Sequence, residues 1–411
     1  MRVRRRSIIS VAVVAVVAVA LACAGCTTGS GGGGSSATPG TANGSAQPES
    51  TPGPSDQVSA ILVQPMHDAQ VVLGSDSMNH VEYNLLVVNT FSDPVTLTGV
   101  TVIDPDGKQL GQVKGDTLAA ATQTLYSQTP SPVVAASAAV AVEVDLVLPP
   151  GPVPQHVSNR ITYTLPAGVA GSAIIDNAVV RGPEVEVDRT KATTISPPLT
   201  GDGWLATTAC CSPNVHRNLR LSADGVHMAT AETFAVDWGL VKGNRLYDGD
   251  GKQNDQFYDF GAKVLAVADG TVVYVHDGVP ESTPFAAIPP NAKEGFGGNA
   301  VILKIADGVY AAYEHLQPGS ITVHVGDTVK TGEGIGKLGN TGPSQGPHLH
   351  FGILDKPDLF VGKSLPFVFK NLTLVGNADL AGSTGDVLTI TPQSRTVRNA
   401  YPLTGNIVNF P

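Results

Sequence analysis

The chain has 411 residues, a formal net charge of −10, 42% hydrophobic residues and 15% charged residues. This length exceeds what one hydrophobic core supports, and it predicts two domains with additional segments. The acidic balance argues against a nucleic-acid partner, because surfaces that bind nucleic acid carry an excess of Lys and Arg.

The N-terminus is typical of an export signal. Several arginines in the first six residues precede an apolar run from Ile8 to Ala22, which is shorter than the roughly twenty residues of a membrane span. The run ends in Ala24-Gly25-Cys26, which is similar to a bacterial lipoprotein cleavage site. We predict a signal over residues 1–26, lipidation of Cys26 and a lipid anchor in the membrane. Acylation of Cys23 and a plain secreted protein are the alternatives.

Residues 27–57 consist mainly of Gly, Ser, Thr, Ala and Pro and have almost no apolar bulk. Such a segment cannot bury enough surface to fold, so it predicts a flexible linker between the membrane and the folded part of the chain.

Residues 58–196 are predicted to form a domain of β-strands. Runs rich in β-branched residues alternate with period two and are separated by turns containing Pro, Gly and Asp. Several short strands with regular breaks are typical of an immunoglobulin-like β-sandwich. His67, His80 and His156 are scattered through this domain, and we expect them at the surface. No chemistry is predicted here; the domain would support the chain or contact an unknown protein partner.

A second domain is predicted over residues 197–370. The stretch Pro197–Gly201 marks its boundary, and the pairs Asp269-Gly270 and Asp307-Gly308 are strong hairpin signals. The Pro-rich stretch from Val279 to Phe296 lacks periodicity and is expected at the rim of a substrate groove. The polar tail over residues 371–411 ends in the apolar segment Ile407–Phe410, which we expect to pack back onto the body.

Beyond the signal, the cysteines are the adjacent pair Cys210 and Cys211. Thiolate zinc ligands are disfavoured in an oxidising export compartment. Two buried small residues or a vicinal disulfide are the remaining interpretations, and the sequence leaves both open.

Two histidines near the C-terminal third predict a metal site. His348 and His350 are two residues apart, so on an extended strand both imidazoles point to one face. They follow the glycine-rich stretch Gly334–Gly342, and a third histidine, His315, lies upstream among apolar residues. This arrangement suits a metal site in which one imidazole binds the metal and another lies beside it.

The stretch from Gly261 to Phe351 resembles the LytM/lysostaphin-type zinc peptidases, which cut peptidoglycan cross-bridges. Matching segments follow one another in the family's order: Gly261–Val273, Gly298–Val301, Tyr313–Leu316, Val325–Val329 and Gly339–Gly342. The resemblance implies a LytM-like antiparallel β-sheet peptidase core. The predicted fold class is therefore all-β, with the immunoglobulin-like β-sandwich followed by this core.

The resemblance also implies the roles of site residues. Asp237 and His350 would be zinc ligands, and His315 and His348 would be catalytic histidines that do not bind the metal. The family's other ligand is a histidine four residues before the aspartate, where this chain has Thr233. A threonine hydroxyl is a poor zinc ligand.

Two upstream histidines could replace the missing ligand. His216 is favoured over His227, because His216-Arg217 resembles a His-Arg pair in relatives with a similar aspartate motif. Arg217 could pair with a neighbouring carboxylate and fix the local backbone. The alternatives are ligation by His227 and a site that binds no zinc.

The implied function is a zinc endopeptidase outside the cytoplasm, facing the cell wall, that cleaves peptidoglycan peptides with a zinc-activated water. The alternatives are an inactive LytM-like module that binds peptidoglycan or regulates another hydrolase, and a carrier or adhesin in which the β-sandwich acts.

Overall fold

The computed structural model describes residues 58–125, 129–169, 174–175, 178–223, 225, 227–287, 295–384 and 387–411. The side chains of His227, Ser383 and Thr384 are also outside this description. The predicted signal, Cys23, Cys26 and the linker lie outside the described residues. Among the helices that are described, none has the length and apolar character needed to cross a membrane.

The described chain is built almost entirely of β-strands, which confirms the predicted all-β fold class. One 11-stranded sheet, which we name the first domain, contains β1 (Ile61–Pro65), β2 (Ala69–Leu73), β3 (Asn79–Asn89), β4 (Val95–Ile103), β5 (Gln109–Lys114), β6 (Thr122–Thr124), β7 (Val133–Val134), β8 (Ala139–Leu148), β9 (His156–Thr164), β10 (Val179–Arg181) and β11 (Val185–Asp188). The short helix α1 (Gly115–Ala121) precedes β6.

The second half of the chain contributes the remaining strands: β12 (Thr193–Ile195), β13 (Gly201–Thr208), β14 (Leu221–Ala223), β15 (His227–Ala229), β16 (Val236–Leu240), β17 (Lys263–Leu265), β18 (Gly270–His276), β19 (Asn299–Ala306), β20 (Val309–Leu316), β21 (Thr328–Val329), β22 (Gly334–Lys337), β23 (Leu349–Leu354), β24 (Phe367–Thr384), β25 (Val387–Ala400) and β26 (Asn406–Phe410). Short 3₁₀ helices span His216–Asn218 and Asn254–Gln256.

The first domain is organised around β3, which pairs along its length with β8 and on its other edge with β1 and β2. A second group of strands surrounds β4 and β9, and β11 links the groups by pairing with both β9 and β2. Apolar residues alternate along these strands, so one face of each enters a shared core. The immunoglobulin-like form of this domain stays a prediction.

The other face of β3 and β8 is polar and is nevertheless buried. His80, Glu82 and Asn84 on β3 and Glu143 on β8 are each at most 5% exposed. The prediction that His80 lies at the surface is wrong, because its Nδ1 lies 3.0 Å from both carboxylate oxygens of Asp145 inside the protein. Strand alternation identifies the face a residue points to, but it does not reveal what covers that face.

The sheet of the second domain has the strand order β12-β24-β26-β13-β16-β23-β20-β19-β18-β21. β12 lies within the predicted first domain but pairs in parallel with β24. The predicted tail contributes the end of β24, then β25 and β26, and β26 lies between β24 and β13. Phe410 on β26 is buried, with its ring centroid 5.1 Å from that of Trp238 on β16.

The central strands β16, β23 and β20 position the candidate site. Leu349, Phe351 and Ile353 on β23 are fully buried, as are Val236 and Trp238 on β16. The alternate residues of the same strands therefore point to the opposite face of the sheet, where the polar residues collect.

The adjacent cysteines form a buried disulfide, which is one of the interpretations that the sequence leaves open. It lies where the two domains meet, with Cys211 Sγ close to side-chain atoms of His80 and Asp145 on the first domain.

Candidate metal centre

Three polar residues form a row across adjacent strands of the second sheet. Asp237 on β16 is directly opposite His350 on β23, which is directly opposite Glu314 on β20. Side chains that are paired in this way lie about 5 Å apart on one face of a sheet. His350 Nδ1 is 3.0 Å from Asp237 Oδ1, and its Nε2 is 3.8 Å from Glu314 Oε1.

His216 joins this row from outside the sheet. It lies in the 3₁₀ helix His216–Asn218, and its Nε2 is 3.0 Å from Asp237 Oδ2. Its Nδ1 is 3.4 Å from the carbonyl oxygen of Ala235, to which only a protonated ring nitrogen can donate. This contact leaves Nε2 directed at the carboxylate. His216, Asp237 and His350 each offer a ligand atom, and these atoms all lie within 4.8 Å of one another.

The donor set fits a zinc ion. Two imidazole nitrogens and one carboxylate are a common set for a catalytic zinc, with a fourth position left open. Nε2 of His216 and Nδ1 of His350 each lie 3.0 Å from a carboxylate oxygen of Asp237, so two ring nitrogens and one carboxylate converge as ligand atoms would around one ion. The described cleft residues around them include Glu232 and Glu314 but no Lys or Arg.

His315 reaches the site through an irregularity in β20. The ladder between β19 and β20 shifts register between Tyr313 and Leu316, and His315 has a positive φ of 63°. A bulge of this kind redirects a side chain, so Glu314 and His315 both line the cleft although they are neighbours in sequence. Its Nδ1 donates to the carbonyl oxygen of Thr341 at 2.8 Å, which leaves Nε2 as the proton-accepting nitrogen.

Gly298 lets the Thr341 segment come close enough to hold His315. Its φ is +62°, and a Cβ at this position would lie 2.4 Å from the carbonyl oxygen of Thr341. A residue with a side chain would therefore push away the acceptor that fixes the His315 ring.

His348 lies beside His315, with ring centroids 4.7 Å apart. Its Nδ1 donates to the carbonyl oxygen of Gly346 at 2.9 Å, and its Nε2 is 3.5 Å from Asp237 Oδ1. His348 and His350 line the same cleft, as alternation along an extended segment predicts.

Burial in the cleft disfavours the charged forms of His315 and His348. Burial holds the pKa of His315 well below its usual value and also lowers the pKa of His348. Burial alone would raise the pKa of Asp237, but its contact with His216 and the hydrogen bond from His350 hold it well below its usual range. Burial raises the pKa of Glu314 to about 7.

Of the remaining candidates from the sequence, Thr233 does not join this cluster. Thr233 is buried, donates its hydroxyl to the Thr230 carbonyl oxygen at 3.4 Å, and does not line the described cleft. His227 pairs with Ala223 in the β14–β15 hairpin, and its side chain is outside the described part of the chain. Within the predicted rim insertion, residues 288–294 are likewise outside, whereas Phe296 lines the cleft.

Sequence reasoning missed Glu314 and Glu232, which line the cleft of about 550 Å³ with the histidines. A signal for Glu314 exists in the sequence, since it is the one charged residue in the apolar strand β20. Glu232 carries no comparable signal, because it lies in a turn whose position depends on the fold.

Comparisons with known proteins match part of the second domain. The model of "Peptidase family M23" matches residues 254–360, which include His315, His348 and His350 but neither Asp237 nor His216. The cell division protein DipM of Caulobacter vibrioides is 36% identical over 106 residues, which cover 25% of this chain and 15% of that protein. The DD-carboxypeptidase/endopeptidase Mpg of Neisseria meningitidis is 38% identical over 86 residues, 19% of each chain.

Among solved structures, the catalytic domain of the antimicrobial peptidase lysostaphin from Staphylococcus simulans is 24% identical, with a TM-score of 0.21. That match covers 32% of this chain and 77% of the lysostaphin domain. The chain spans less than a fifth of the length of DipM and of Mpg. The resemblance seen in the motifs agrees with the match of residues 254–360 to the model of peptidase family M23.

Proposed function

We propose that the protein is a zinc-dependent endopeptidase that hydrolyses peptide bonds of peptidoglycan outside the cytoplasm. The position of His216 is the observation that carries this proposal. Its Nε2 lies 3.0 Å from Asp237, so it supplies the third ligand atom that Thr233 cannot. The family match and the word endopeptidase in the name of the Neisseria relative support the reaction class.

His216, Asp237 and His350 would hold the zinc ion, with Nε2, the carboxylate and Nδ1 as the respective ligand atoms. When bound, zinc supplies a Lewis acid that polarises a peptide carbonyl and makes water a stronger acid. The carboxylate of Glu314 faces Nε2 of His350 and would orient that ring, as an outer carboxylate does for many metal-bound histidines.

His315 and His348 would move the protons of the reaction. Because Nδ1 of each ring donates to a backbone carbonyl, each ring is fixed in orientation with Nε2 available. A neutral Nε2 can accept a proton from the attacking water and return it to the leaving amine. The protonated ring also stabilises negative charge on the carbonyl oxygen in the transition state.

The substrate proposal rests on the cleft and on the resemblance to peptidases of the cell wall. The cleft passes the three candidate ligands and is partly apolar at Val215, Leu219 and Phe296, which suits an extended peptide. The predicted lipid anchor at Cys26 would keep the enzyme at the outer face of the membrane, within reach of the cell wall.

The proposal is tested with the full chain, purified without chelators. We expect close to one equivalent of zinc and cleavage of peptidoglycan peptides. His216→Ala should lose both, whereas His324→Ala, at an exposed histidine, should retain both. His227→Ala tests the alternative ligand. Loss of zinc from His227→Ala, together with retention of zinc by His216→Ala, would show that His227 rather than His216 is the third ligand. A wild-type protein without zinc and without cleavage would favour a binding module of the same fold.

A further inference from the structure

The segment that carries His216 also carries two buried arginines. Arg217 and Arg220 are 1% and 2% exposed, although guanidinium groups are almost never buried without anionic partners. Their partners come from the first domain. Arg217 Nη2 contacts Glu82 Oε1, and Arg220 Nη2 contacts Glu143 Oε1. Arg217 Nε also lies 3.7 Å from Glu143 Oε2.

Glu82 and Glu143 lie on neighbouring strands, β3 and β8, on the polar face that the second domain covers. Neither carboxylate is more than 2% exposed. Two buried carboxylates beside each other require positive charge, and two guanidinium groups from the second domain balance them. We refer to Glu82, Glu143, Arg217 and Arg220 as the interdomain ion cluster.

The His216 segment depends on such an anchor more than the other ligands do. Asp237 and His350 are fixed by the ladder between β16 and β23. His216 lies in a 3₁₀ helix of three residues, which has little stability of its own. Further contacts tie the same arginines to the segment: Arg217 Nη1 donates to the Cys211 carbonyl oxygen, and Arg220 Nη1 donates to Asn218 Oδ1 at 3.2 Å.

We infer that Glu82 and Glu143 of the first domain are positioning residues that hold His216 in place for metal binding, so that the first domain completes the metal centre. This inference rests on the proposed zinc site. The first domain would then have a function that no motif in its own sequence predicts. Arg217 is the immediate neighbour of His216, so a displacement of its guanidinium group by the loss of its partner would be transmitted directly to the imidazole.

The test uses the full chain and compares Glu143→Gln with Asp145→Asn. Asp145 is on the same strand and also faces the second domain, but it pairs with His80 rather than with the arginines. We expect Glu143→Gln to weaken zinc binding by 10- to 100-fold, the range typical of residues that orient metal ligands. Asp145→Asn should bind zinc with an affinity within a factor of about two of the wild type, well short of the loss expected for Glu143→Gln.

A spectroscopic signature separates loss of positioning from general loss of stability. The d–d absorption of bound Co²⁺ reports ligand number and geometry. We expect the Co²⁺ spectrum of Glu143→Gln to shift towards that of His216→Ala, and that of Asp145→Asn to match the wild type. Near-UV circular dichroism of the metal-free proteins shows whether each variant is folded.

Each outcome decides the inference. A folded Glu143→Gln protein with wild-type zinc affinity and Co²⁺ spectrum overturns it, whereas a wild-type protein that binds neither metal overturns the proposed function instead. If Glu143→Gln does not fold, Glu143→Asp replaces it in the test, because this variant keeps the buried negative charge on a shorter side chain. Weaker zinc binding by folded Glu143→Asp supports the inference, and unchanged binding contradicts it.

Discussion

Asp237 and His350 face each other as directly paired residues of β16 and β23, with His350 Nδ1 3.0 Å from Asp237 Oδ1. Ladder hydrogen bonds on both strands fix their separation, so this half of the candidate metal centre is part of the rigid sheet. His216 completes the set from a short 3₁₀ helix. The proposed centre would therefore combine two ligands held by the sheet with one that depends on contacts to another domain.

Replacing His315 or His348 by Ala should separate catalysis from metal binding. Neither residue belongs to the group of three ligand atoms, so both variants should keep close to one equivalent of zinc. Loss of a positioned acid or base costs about 10²–10⁴-fold in rate, and we expect peptidoglycan cleavage to fall by that amount. Metal analysis and product release from purified peptidoglycan measure the two effects. Loss of zinc from either variant would place that histidine among the ligands instead.

Alternation along one strand predicts part of this site correctly. His348 and His350 share a face because side chains of an extended segment alternate, and they line one cleft. The same rule fails for His315. It would place Glu314 and His315 on opposite faces, whereas the positive φ of His315 brings both into the cleft. Histidine is one of the residues enriched in the left-handed region, but such positions are uncommon, so the sequence does not predict that His315 occupies one.

Contacts between distant parts of the chain were the least predictable. Because Arg217 follows the candidate ligand His216, a carboxylate partner is expected for it. Nothing in the sequence places that partner on β3 of the other domain. The tail illustrates the same limit. Its outer strand β25 is largely exposed and polar, so its composition resembles a loop, although it pairs with β24 as a long hairpin.

Phe410→Ala should destabilise the whole second sheet. Phe410 is 4% exposed and packs with its ring centroid 5.1 Å from Trp238 and 5.5 Å from Phe369. Truncation of a buried phenylalanine costs about 3–5 kcal/mol of unfolding free energy. Val387→Ala, at a residue that is 41% exposed, should change stability by less than about 0.5 kcal/mol. Urea unfolding of both variants measures the difference, and equal midpoints would show that the C-terminal strand is not part of the core.

Glu314→Gln should weaken zinc binding without removing it. Glu314 is opposite His350, and its Oε1 faces His350 Nε2 at 3.8 Å. Replacing a carboxylate that orients a metal-bound histidine typically costs about 10–100-fold in affinity. We expect about tenfold for Glu314→Gln, which keeps an acceptor oxygen, and a larger loss for Glu314→Leu, which does not. Competition with a chromogenic chelator measures both, and the reverse order of affinities would contradict an orienting role.

Cys26→Ser should release the protein from the membrane. Lipidation at this residue would anchor the mature chain, and loss of the acyl chains removes the buried hydrocarbon that provides the affinity. Fractionation of cells should find the variant in the soluble fraction and the wild type in the membrane fraction. Cys23→Ser is the matched control and should stay membrane-bound. Retention of the double variant Cys23→Ser/Cys26→Ser in the membrane would exclude a lipid anchor at either cysteine.

Thr233→His tests whether the position that carries a histidine in related peptidases can still serve as a ligand. Thr233 is 1% exposed, bonds to the Thr230 carbonyl oxygen and does not line the described cleft. A histidine there adds volume to a packed region and should cost about 1–3 kcal/mol of unfolding free energy. In the His216→Ala background it should not restore zinc binding, because nothing directs its ring towards Asp237. Isothermal titration of the double variant with zinc, beside the His216→Ala single variant, provides the measurement. Recovery of zinc binding in the double variant would show that the usual ligand position remains functional and that His216 is not required by the geometry of the cleft.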